Sequence, residues 1–208
     1  LTTIKFDKET KQGIEYFEGR IAYPTVYAQG DLTMQDITVA GPTDEHHGID
    51  GILAKADLTL TNVKIADMRC TADGGFVCGV QYGRPVMVDG EGDVTITNCE
   101  IVDFQKQAID LNTTGTIVIE NNIITGIDDN GIIAQNGIVL RNSGEATITG
   151  NTISGLKYTA ENEWTDCSYA IMLMGDASAE ITANTIEDVD NGIDIEGTAS
   201  ANIENNII

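Results

Sequence analysis

The chain has 208 residues, enough to bury a sizeable core, and carries 33 acidic against 11 basic side chains, a formal net charge of −22. That balance argues against nucleic acid or an anionic membrane as partner, because both need clustered Lys and Arg. No apolar run is long enough to insert across a bilayer, and with aromatics at 5% the interior must be filled by aliphatic side chains.

Residues 1–23 read as an amino-terminal coil or cap, in which Ile4 and Phe6 begin one further coil, and residues 24–208 read as repeats. The repeated phrase is LTMQDITV from Leu32, LTLTNVKI from Leu58, VTITNCEI from Val94 and IVIENNII from Ile117. It returns as ATITGNTI from Ala146, AEITANTI from Ala179 and ANIENNII from Ala201. Self-similarity of this kind means stacked structural units. Met34, Leu60, Ile96, Ile119, Ile148, Ile181 and Ile203 form the expected inward column, spaced 22 to 36 residues apart. The longer spacings are the same repeat carrying insertions.

Apolar residues alternate at period two, which predicts strands and excludes helical hairpins. A second strand precedes each copy, as GILAKAD at Gly51, AIDLNTTG at Ala108 and GIDIEGTA at Gly192, and a short third one follows, as in NTISG and NTIEDV. Three strands and three corners per turn describe one coil of a parallel β-helix. Asn122, Asn151, Asn184 and Asn206 align at one corner, where a left-handed backbone and stacked amide bonds are expected of them. Cys99, Val63 and Ile37 take that position in the earlier coils.

The GIDI, ITGNTI and ITANTI phrases resemble the right-handed parallel β-helix superfamily typified by pectate lyases, over roughly residues 24–208. The resemblance implies an all-β, single-domain solenoid of about seven to eight coils with inserted loops on one flank. In the resembling enzymes the substrate groove runs along the first sheet beside those loops. The superfamily holds polysaccharide lyases, hydrolases and epimerases as well as adhesins, and the closely spaced catalytic motifs of polygalacturonases and alginate epimerases are missing here.

Outward positions on the first sheet follow from the alternation. One column is Leu53, Met87, Asp110, Val139, Met172 and Asp194; the next is Lys55, Asp89, Asn112, Arg141, Met174 and Glu196. Asp89, Asp110 and Arg141 are the catalytic candidates, since carboxylates beside an Arg suit acid/base work or a sugar acid. Lys55 and Asn112 are candidate ligand contacts, as are Tyr158, Trp164 and Tyr169 of the largest late insertion, whose rings suit sugar stacking. Asp128 and Asp129 are candidate Ca²⁺ ligands. Each set also has a plain reading: a solvated face, an apolar column covered by the inserted loops, a loop anchored by its aromatic residues, ordinary turn chemistry.

Cys70 and Cys78 flank a Gly-rich loop that a disulfide would staple in an oxidising compartment, and the adjacent His46 and His47 suit an exposed loop better than a metal site. The last repeat has no polar cap, which predicts a piece of a longer protein. Two functions fit. The favoured one is a noncatalytic extracellular or cell-surface module for adhesion or polysaccharide binding. The alternative is a lyase, hydrolase or epimerase acting on an acidic glycan.

Overall fold

The computed structural model describes residues 2–5, 12–41, 50–69, 81–129, 131–161 and 165–208, without the Asp129 side chain. Trp164, His46, His47, Cys70 and Cys78 lie outside the described residues. Alternation along each strand sends every second side chain inward, and corresponding strands of successive repeats pair in parallel into three seven-stranded sheets. The first sheet runs Pro24–Ala28, Asp50–Ala54, Val86–Gly90, Gln107–Thr113, Asn136–Arg141, Tyr169–Met174 and Asn191–Ile195. The second runs from Leu32–Gln35 to Ser200–Glu204, and the third from Thr2–Lys5 to Thr185–Val189. The result is a parallel β-helix of seven coils.

The expected inward column pairs residue by residue, from Met34 through Leu60, Ile96, Ile119, Ile148 and Ile181 to Ile203. Its members from Leu60 to Ile181 are fully buried. Each such Ile or Leu stabilises the stack by roughly 1.5–3 kcal/mol relative to an exposed one. A one-residue slip would turn the whole column outward, so the apolar pattern fixes the register.

The asparagine ladder adds a polar line inside this core. Asn151 Nδ2 donates to Ile119 O (2.9 Å) and to Asn184 Oδ1 (2.9 Å), while Asn151 Oδ1 accepts from Asn122 N (3.0 Å) and Asn122 Nδ2 (3.0 Å). Asn122 hands the pattern on to Cys99 N (2.8 Å) and Ile96 O (2.9 Å). The backbone expectation for these residues is corrected. The left-handed residue is the one before each, Asn121 (φ 56°), Gly150 (φ 66°), Ala183 (φ 55°) and Asn205 (φ 58°). Its left-handed twist turns the chain, and the next amide then points into the core.

A short antiparallel hairpin, Ile14–Tyr16 with Arg20–Ala22, leaves the solenoid pattern. Its turn is tight, with Glu18 at φ 56° and Gly19 at φ 75°. Tyr16 and Ala22 pack on Leu53 and Met87, joined by Ile14 and Phe17. The inserted-loop residues 42–49 and 70–80 lie outside the described residues. Among the described residues the cover over Leu53 and Met87 is this hairpin, drawn there because two adjacent coils present bare apolar side chains.

Candidate functional site

Register places the outward column as expected, with Met87 opposite Leu53 and Asp110, Val139 opposite Asp110 and Met172, and Asp194 opposite Met172. Where the hairpin ends, the sheet opens into a groove of about 560 Å³. Its floor comes from first-sheet side chains, including Gln107, Arg141 and Met172, and one wall from inserted-loop residues Ile132, Ile133, Tyr158 and Cys167. Arg20 of the hairpin closes it on one side, and Glu196 lines it near the last coil.

The hairpin end is cationic. Arg141 Nε donates to Asp110 Oδ1 at 2.6 Å, and the Phe17 ring covers the guanidinium with 5.4 Å from Cζ to its centroid. Gln107 completes the pair with its amide turned so that both ends are satisfied: the N then donates to Asp110 Oδ2 (3.1 Å) and the O accepts from Arg141 Nη2 (2.8 Å). Beside them stands Lys106, whose ammonium has no bonding partner among the described residues. Burial, and then the charge of Arg141, push that ammonium down to about 8, with Asp110 pulling the other way.

Behind the hairpin lies a second pair. Arg84 meets Asp50 through Nε (3.1 Å) and Nη2 (3.3 Å), with the Tyr16 ring 4.7 Å from the guanidinium carbon. Asp50 also accepts from the backbone N–H groups of Tyr23 (3.0 Å) and Arg84 (3.1 Å), so it ties the hairpin's exit strand to the next coils. Burial pushes the Asp50 carboxyl up and the Arg84 guanidinium down, to about 10 in the second case.

The remaining candidates divide cleanly. Tyr158 and Tyr169 line the groove; burial, followed by the Asp194 charge, raises the Tyr169 hydroxyl. Asp89 bonds Lys55 Nζ (2.5 Å) and Asn112 Nδ2 (2.8 Å), so Lys55, Asp89 and Asn112 form their own polar row apart from the groove lining. Asp128 is exposed, at a register irregularity of the third sheet with φ 53°. Among the described residues no three His, Cys, Asp or Glu side chains converge as metal ligands.

The profile of the family described as right handed beta helix region matches residues 10–159 and 84–208, nearly the whole length. The chain belongs to that family. No curated protein and no solved structure matches this β-helix. The family sets the scaffold and its hand; the groove must be read from its own residues.

Sequence reasoning missed Arg20, Lys106 and Gln107. A signal for Gln107 existed: the residue before each AIDL-type phrase stacks as Gln107, Asn136, Tyr169 and Asn191, a polar row at the start of consecutive first-sheet strands. Lys106 adjoins that row. Arg20 had no such signal, because the hairpin lies outside the repeat.

Proposed function

We propose that this β-helix is a noncatalytic, extracellular or cell-surface module that binds an acidic glycan in the groove of its first sheet. The observation that carries the reading is the gathering of Arg20, Lys106 and Arg141 beside Tyr158 and Tyr169, in a chain whose net charge is −22. Clustered positive charge on so acidic a protein focuses the field on that groove and attracts an anionic ligand. The partly exposed Tyr169 ring offers a face for a sugar and a hydroxyl for its rim, while Tyr158 is buried in the groove wall.

Binding is favoured over turnover by the state of the carboxylates. Asp110 is engaged by Arg141 and Gln107, and Asp89 by Lys55 and Asn112, so neither carboxylate stands free as an acid or base. The alternative, an enzyme acting on an acidic glycan, draws support from Lys106, whose ammonium is lowered to about 8 by burial and so gives up its proton more readily than an ordinary lysine, as a general base must.

Titration calorimetry against oligogalacturonates and neutral cello-oligosaccharides, with and without calcium, tests the reading. The acidic ligands should bind, the neutral ones should not, and Lys106→Ala should weaken binding about tenfold or more. Calcium dependence would bring in Asp128 and Asp129. Accumulation of shortened or unsaturated products would overturn the noncatalytic assignment, and binding indifferent to Lys106 would overturn the site.

A further inference from the structure

We infer that the groove receives an acidic oligosaccharide by one end, with the terminal anionic sugar seated against Lys106, Arg20 and Arg141 and the amino-terminal hairpin acting as the stop. The inference rests on the groove reading above and adds a direction to it.

Three observations carry it. The first is the block. Beyond the cationic end the Leu53–Met87 column of the sheet is covered: Tyr16 and Ala22 sit on Leu53 and Met87, and both of those side chains are fully buried. A glycan lying along the sheet meets the rings of Phe17 and Tyr16, which are themselves pinned by the guanidinium groups of Arg141 and Arg84.

The second is the charge gradient. Arg20, Lys106 and Arg141 occupy the hairpin end, whereas Glu196 lines the groove near the last coil and Asp194 stands opposite Met172. An anionic chain is drawn to one end and repelled at the other. The floor between Gln107 and Glu196 crosses four first-sheet strands, hence ~14 Å, room for a short oligosaccharide.

The third is the unspent cation. Arg141 already bonds Asp110 and Gln107, but the half-buried Lys106 has an ammonium that bonds to nothing among the described residues. A terminal carboxylate or sulfate supplies the partner it lacks. Arg20, exposed and stacked on Phe17 at 5.5 Å, stands beside it to take a second anionic oxygen.

Binding stoichiometry across a size series decides the matter. Oligogalacturonates of increasing length and a long polygalacturonate are titrated into the protein, with sulfated oligosaccharides as a parallel arm to separate carboxylate from sulfate. End capture predicts one protein per chain whatever the chain length, affinity that levels off after a few sugars, and about tenfold or greater loss in both Arg20→Glu and Lys106→Gln. Stoichiometry that grows with chain length overturns end capture while leaving the acidic-glycan reading intact. Failure of every anionic glycan to bind overturns both. Retention of circular dichroism by the two variants separates lost binding from lost folding.

Discussion

Arg141 Nε lies 2.6 Å from Asp110 Oδ1, and both side chains are nearly shut off from water. A buried pair of this kind is costly to break and cheap to replace. Asp110→Ala or Arg141→Ala should each destabilise the protein by about 3–5 kcal/mol, because a charge remains buried without its counterpart. The double variant Asp110→Leu with Arg141→Met should lose less than either. Urea unfolding of the three variants checks this; single effects that simply add would show the two residues to be uncoupled.

Asn151 offers a second test. Its removal leaves the Asn122 N–H and the Ile119 carbonyl without their side-chain partner inside the core. Asn151→Ala should therefore cost about 2–4 kcal/mol, one to two unsatisfied buried groups. The exposed neighbour Asn121, replaced by Gly at φ 56°, should cost little, since glycine accepts that backbone freely. Equal losses in the two variants would contradict the ladder's role.

Ala183 points the other way. It holds a left-handed backbone, φ 55°, at a corner where other coils use Asp36, Asn62, Asn98, Asn121, Gly150 and Asn205. Its Cβ crowds a carbonyl in that conformation, and no polar side chain compensates. Ala183→Gly should raise stability by about 1 kcal/mol, read as a higher melting temperature. A fall would mean that the corner is held by something other than backbone strain.

Lys106 sets a pH dependence with a definite sign. Its folded value, about 8, lies below the ordinary 10.5, so the folded protein holds the proton less tightly than the unfolded chain does. The burial penalty is fully present below pH 8 and disappears as pH rises through 10.5. Lys106→Met should thus stabilise the protein at pH 7, by up to ~3 kcal/mol, and confer no advantage near pH 10.5. Affinity for anionic ligands should move oppositely in the native protein, holding below pH 8 and falling above it. Thermal melts and calorimetry at several pH values read both; a pH-independent difference would remove Lys106 from the groove chemistry.

Much of the scaffold was legible because a repeat states its own register. Once Leu60, Ile96 and Ile119 are aligned, every pairing in the second sheet follows, and with it the outward columns holding Asp110 and Arg141. What those outward residues face was not legible. Whether Met87 meets water, a loop or the hairpin depends on where residues 14–22 fold, and no period links that segment to the coils. The same gap hid Arg20, and it made Asp110 look accessible when it is sealed under Arg141 and Gln107. The left-handed corner was displaced by one residue, since Asn suits both the turning and the inward position.

The hairpin has a consequence for assembly order. Phe17 leaves the ribosome well before Met87 and Arg141, which hold it down. The winding must reach the coils of Met87 and Arg141 before this segment finds a surface to dock on, so the cationic mouth forms only after those coils. Pulse-labelled exchange should find the amides of Tyr16 and Ala22 protected only after those of Ile109 and Ile138.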